Sequence, residues 1–249
     1  MNEFKIDPNI SYDIVELPSR GIYYSNKKKS VRVAYLTAAD ENILVSQNLI
    51  ETNNVVTELL RRKVLDRDIN IDEMVEDDRQ AILIFLRNTA FGATYKVKSI
   101  DPKTNEEFIV EVDLSSLTFK PFDLVEDQQG EYSYNFNNGT KITFKFLDRK
   151  QEDEIENIKN NWNVPNMAAP VITKQLEMMI KSVNGDRDLM VIRNFVERLG
   201  IKDSKDFRSF VMKNRPGIEL VKSIDTPSGG KTDISIGFGV EFFRPFYEL

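Results

Sequence analysis

Tyr95-Lys-Val-Lys-Ser-Ile-Asp-Pro-Lys-Thr-Asn-Glu-Glu-Phe-Ile-Val-Glu-Val112 is an alternating apolar and polar run, a proline-bearing polar tip, and a second alternating run. This is the pattern of a β-hairpin with a longer loop. Five of its residues, Val97-Lys-Ser-Ile-Asp101, return unchanged at Val221–Asp225. They stand there inside Ile218-Glu-Leu-Val-Lys-Ser-Ile-Asp-Thr-Pro-Ser-Gly-Gly-Lys-Thr-Asp-Ile-Ser-Ile236, which has the same plan. Either two ordinary hairpins share a pentapeptide by chance, or the chain builds related ribbons twice. With helical patterns between and before them, the hairpins predict an α+β fold.

Upstream, Ile10 to Glu16 leads into Leu17-Pro-Ser-Arg-Gly-Ile-Tyr-Tyr24. Pro18 and Gly21 mark a turn, and the two tyrosines are read as the start of an extended run. Lys27-Lys28-Lys29 then precedes Val31-Arg-Val-Ala-Tyr-Leu36. The two runs predict a hairpin with a basic, solvated tip. Thr37 and Asp40 have capping-box spacing, so a helix is expected there with Ile43 and Leu44 inward. Asn53 or Asn54 caps a second helix carrying Val55, Val56, Leu59, Leu60 and Val64. The acids Glu76-Asp77-Asp78 open a third, with Ile82, Leu83, Phe85 and Leu86 inward and Gly92 as its stop.

Downstream, Glu131–Phe136 and Lys141–Phe146 alternate cleanly around Asn137-Asn-Gly-Thr140, where Asn-Gly supplies a positive φ. The remainder reads as mostly helical. Asp148 caps a helix with Ile155, Ile158 and Trp162 on one face, and Asn163–Pro170 is the best linker. Thr173–Val183 is read as one helix, Leu189–Leu199 as another ending at Gly200. A short helix capped by Asp203 or Ser204 stops before Pro216. The expected division is residues 1–147, an N-terminal α+β region, and 148–249, a mainly helical region bearing the second ribbon and an aromatic C-terminus.

The chain has 249 residues, 41% apolar and 30% charged, which suits a folded, charge-coated protein. Its 34 basic and 40 acidic residues leave a net charge of −6, which argues against a broad phosphate-binding face and hence against nucleic acid as partner. Cysteine and histidine are both absent. That removes thiol nucleophiles, disulfides, thiolate zinc sites and imidazole bases. Carboxylate chemistry stays open, and Asp66 with Asp68, Asp77 with Asp78, and Asp186 with Asp188 are the pairs a hydrolase would draw on. Capping and solvation explain the acidic clusters more cheaply than a cation, so no metal and no cofactor is expected. Ser228-Gly-Gly-Lys-Thr232 lacks the spacing of a phosphate loop and sits in a hairpin tip. No secretory core stands in the first eight residues, and no apolar run nears the roughly 18 residues of a membrane span. A cytoplasmic location is expected.

Four segments, in order, resemble the T4-type bacteriophage baseplate proteins. Leu17–Tyr24 resembles the family's Leu-Pro-Ser-(basic)-Gly-(hydrophobic)-(aromatic)-Tyr opening, and Val31–Glu41 resembles its strand followed by a Leu-Thr-x-x-acid-Glu helix start. Asp78–Gly92, with Leu86-Arg87 and the downstream Tyr95, is similar to its central helix and exit strand. Val240-Glu-Phe-Phe-Arg-Pro245 is similar to its closing Phe-Phe-x-Pro. The resemblance implies a non-enzymatic role in assembling the tail baseplate hub, with other baseplate hub proteins as partners and the virion baseplate as a second location. A carboxylate-based lytic hydrolase at the tail hub is the alternative. Many members of that family carry Cys-x-x-Cys knuckles in the two ribbons, and this chain has none, so its ribbons must stand on turn chemistry and packing. Pro18, Arg20, Tyr23 and Tyr24 at one end, with Phe242, Phe243 and Arg244 at the other, are the expected partner contacts, because aromatic and arginine side chains dominate interface energetics; the alternative is that they pack internally, the phenylalanines as core.

Overall fold

The computed structural model describes residues 7–51, 54–238 and 240–243. Its order is β1 (Tyr12–Glu16), β2 (Ser30–Ala34), α1 (Ala38–Leu44), α2 (Gln47–Glu51), α3 (Val55–Lys63), α4 (Glu76–Phe91), β3 (Thr94–Ile100) and β4 (Glu107–Asp113). Then follow β5 (Tyr132–Asn135), β6 (Lys141–Phe144), α5 (Arg149–Asn161), α6 (Val171–Met179), β7 (Ile180–Val183), α7 (Leu189–Arg198), α8 (Ile201–Asn214), β8 (Val221–Asp225) and β9 (Lys231–Ser235). The fold is α+β, with hairpins near both ends. Every pairing among the described strands is antiparallel: β1–β2, β3–β4, β5–β6–β7 and β8–β9.

The chain forms two compact units, residues 1–120 with 216–249, and residues 121–215. The division thus falls in space, with one unit interrupted by the other, and not at a single point such as 147/148. Antiparallel bonding explains why both ends of the chain share a unit. Lys120 N–H donates to Gly217 O at 2.8 Å and Glu219 N–H to Thr118 O at 2.9 Å, so the strand-like segments beside β4 and β8 zip together. The expected linker, Asn163–Pro170, is a loop between α5 and α6 inside the second unit.

In the first unit α4 is the buried axis. Ile82, Leu83 and Leu86 are solvent-free and pack with Leu59 and Leu60 of α3, Val31 and Val33 of β2, and Phe242 and Phe243. Its acids stand in the first turn, as expected from the dipole, and its chain stops at Gly92, φ 82°. Asp40 reaches back to the Thr37 N–H (2.8 Å) and hydroxyl (2.9 Å), which starts α1 where the spacing predicts.

In the second unit the core is aromatic. Phe144 lies 5.3 Å from Phe207, Tyr132 lies 5.2 Å from Phe146, and Tyr134 lies 5.1 Å from Phe207, centroid to centroid. Edge-on and tilted geometries dominate, as ring quadrupoles favour. Two sequence expectations change here. The helix expected to run to Val183 ends at Met179, and Ile180–Val183 forms β7 against β6. The open edge of β6 offers unpaired backbone groups, and Asn184 locks the corner by exchanging bonds with Lys141 (2.7 and 2.9 Å). The helix after Gly200 begins at Ile201 and runs to Asn214, with Asp203 in its first turn and not at its cap.

Candidate protein-interaction site

The opening motif is a turn-rich loop. Tyr23 and Tyr24 stand in it and not in an extended run, because Arg20 N–H, Ile22 N–H, Tyr24 N–H and Lys27 N–H each bond three residues back, at 2.9–3.2 Å. Arg20 and Lys27 take left-handed φ of 54° and 51°. Gly21 is required twice over: its φ is 78°, and a Cβ there would lie 2.6 Å from the Lys27 carbonyl group.

One carboxylate organises this loop. Asp78, in the first turn of α4 and free of solvent, accepts from Ser19 N–H (2.9 Å), Ser19 Oγ (2.6 Å) and Tyr24 Oη (2.6 Å). Burial pushes its pKa above the ordinary carboxylate value, and the bonds from Ser19 and Tyr24 offset only part of that. Burial, followed by the Asp78 charge, holds the Tyr24 phenol well above its ordinary range. Ser19 and Tyr24 therefore act inward. Pro18 is buried, Tyr23 is half-buried, and Arg20 alone of the four expected contacts is exposed.

The far end of α4 is closed by an equally buried arginine. Arg87 donates to Gly92 O (2.7 Å) and Thr94 O (3.1 Å), satisfying carbonyls beyond the helix end. Its guanidinium sits 5.0 Å from the Tyr95 ring centroid and 5.6 Å from that of Phe242. Phe242 and Phe243 are core residues, fully buried against Tyr95, Phe238 and each other. Their expected role as partner contacts is thus corrected. A phenylalanine pair gains more from sealing α4 and Arg87 than from lying in water. Arg244 lies outside the described residues.

The two ribbon tips meet. Asp101 accepts from Lys103 N–H (2.9 Å), from Ser228 N–H (3.0 Å) and from Ser228 Oγ (2.8 Å). Lys103 Nζ reaches Ser228 O at 3.4 Å. Burial opposes the charge on Asp101, but the bonds from Lys103, Ser228 and Thr226 outweigh it and hold the pKa at about 2. A hydrogen-bonded carboxylate thus joins the tips in a chain that has no thiolate to hold a metal.

The motifs therefore converge on α4: the opening loop at its start, Val31 and Val33 in the core it shares, and the exit strand and closing aromatics at its end. A family model described as T4 bacteriophage base plate protein matches residues 12–244. This chain belongs to that family. Neither a curated protein nor a solved structure matches the baseplate protein. Among its described residues no helix is long and apolar enough to cross a membrane.

The sequence reading missed two features of the baseplate protein that bear on contact. One is the network at the base of the β1–β2 loop, where Asp66 accepts from Arg32 (2.6 Å) and Lys28 (2.9 Å) and Asp68 from Lys28 (2.6 Å). The middle lysine of the basic triplet is thereby tied down, though nothing in the triplet singles it out. The other is an apolar cleft of about 320 Å³ in the first unit, lined by β1, by Ala81, Ile84 and Phe85 of α4, and by Leu117 and Phe119. Only the assembled fold brings these together.

Proposed function

We propose that this protein acts in assembly of the tail baseplate hub, through protein–protein contacts and without catalysis. Membership of the baseplate family over residues 12–244 carries the reading. The fate of the acidic pairs supports it. Asp66 and Asp68 are bound to Lys28 and Arg32. Asp78 is buried under the opening loop. Asp186 and Asp188 accept backbone bonds that start α7. At least one carboxylate of each of these pairs is engaged in an ion pair or a hydrogen bond within the fold.

The test is quantitative mass spectrometry of this protein in purified virions and in lysate fractions holding hub precursors. Fixed stoichiometry in virions identifies a hub subunit. Presence with precursors and absence from virions identifies a factor that promotes hub formation in the host cytoplasm and leaves. Absence from both overturns the proposal.

A further inference from the structure

Among the described residues, β1 pairs along one edge only. Its pairing with β2 is fixed by Leu17 N–H to Lys29 O (2.8 Å) and Tyr35 N–H to Ser11 O (3.3 Å). In an antiparallel ladder, bonded and non-bonded pairs alternate. Ser11, Asp13, Val15 and Leu17 therefore direct their backbone groups at the second strand, and Tyr12, Ile14 and Glu16 direct theirs away from it. Among the described residues nothing pairs with that outer edge. Natural edges are blunted by proline, lysine or a bulge. β1 reads Tyr-Asp-Ile-Val-Glu, and its Ile14 is 67% exposed.

The cleft of about 320 Å³ lies along this edge, with an apolar floor of Ala81, Ile84 and Phe85 and a far wall of Leu117 and Phe119. Its polar lining consists of Glu16, Asn88 and Ser115. Among the described residues no basic side chain lines the cleft, and Glu16 is its one charged lining residue. Strand edge, apolar floor and acidic rim together suit an extended segment with apolar and basic side chains.

We propose that β1 is a strand-addition site for an extended, basic segment of another baseplate protein. That segment would bond to the outward groups of Tyr12, Ile14 and Glu16. It would place alternate apolar side chains over Ile84 and Phe85 and bring a lysine or arginine to Glu16. The source of the segment rests on the assembly role proposed above; the edge itself does not.

The experiment is fluorescence anisotropy of the full-length protein with a labelled hexapeptide of alternating leucine and lysine. Binding is expected, about tenfold weaker when glutamate replaces lysine, and lost when alternate peptide amides are N-methylated, which removes backbone donors and keeps every side chain. Glu16→Gln weakens the lysine peptide about threefold. Ile14→Pro, which removes an outward N–H from an edge where proline is tolerated, abolishes binding with the circular-dichroism spectrum unchanged. Equal binding of the N-methylated peptide, or of the glutamate peptide, overturns the proposal. So does no binding by the unmodified chain. If binding emerges only in a Phe4→Ser, Ile6→Ser double variant, the chain's own start is the occupant and not a partner. The assay contains no other phage protein, so its failure leaves the mass-spectrometric test standing, and failure of that test leaves the edge standing without its source.

Discussion

Val97–Asp101 and Val221–Asp225 are identical in sequence and opposite in orientation. In β3 the valine and serine face inward while Ile100 is 54% exposed. In β8 the lysine and isoleucine face inward while Val221 is 52% exposed. The cause is a one-residue offset. Asp101 N–H bonds Glu106 O at 2.9 Å to close the first tip, and Thr226 N–H bonds Gly230 O at 2.9 Å to close the second. Asp101 is thus equivalent to Thr226, not to Asp225, and Pro102 to Pro227. A shift of one residue exchanges the faces of a strand. The ribbons are alike in plan, but the repeated five residues do not occupy equivalent positions in them.

The largest effect that bears on this comparison comes from a reference site for a buried carboxylate with three donors. Asp78→Ala should cost about 3 kcal/mol in urea unfolding at pH 7, because the donors on Ser19 and Tyr24 are left without an acceptor. Burial raises the Asp78 pKa, so the stability of the unmodified protein falls as pH rises from about 3.9, the unfolded value, through the higher folded one. Asp78→Asn should remove that slope.

Within the repeat, Ile224→Ala should cost about 2 kcal/mol and Ile100→Ala less than about 0.5 kcal/mol in the same assay. Equal losses would break the assigned offset. The valines should reverse the order, with Val97→Ala costing about 1 kcal/mol and Val221→Ala close to nothing.

The aspartates sharpen it further. The folded Asp101 carboxyl stands at about 2, below an unfolded value near 3.9. Its stabilising effect is complete above the unfolded value and is lost as pH falls toward 2. Asp101→Asn should flatten the acid limb of a pH–stability curve over that window. Asp225→Asn, on an exposed side chain, should leave the unfolding free energy at pH 7 unchanged.

Legibility followed the range of the forces involved. Thr37 with Asp40, Asp148 with Gln151, Gly92 and Asn138-Gly139 act within a few residues, and each sits where local spacing puts it. Ile180–Val183 was misread because an amphipathic helical period and a strand overlap over four residues, and a free edge on β6 decided between them. Phe242, Phe243 and Tyr24 can be read from sequence either as contacts or as core, because aromatic side chains serve both. Only their packing on α4 distinguishes the two.

By itself, the sequence determined the α+β class, the hairpins and their tips, the caps of α1, α4 and α5, the loss of thiol and imidazole chemistry, and the four segments that resemble the baseplate family. These rest on covalent identity and on hydrogen bonds between near neighbours. Tertiary structure alone decided which face of each pentapeptide is buried, that both chain ends share one unit, that Asp78 and Arg87 fix opposite ends of α4, and that β1, α4 and Leu117–Phe119 together line an apolar cleft. Those outcomes depend on burial and on partners tens of residues away, which no local window of sequence contains.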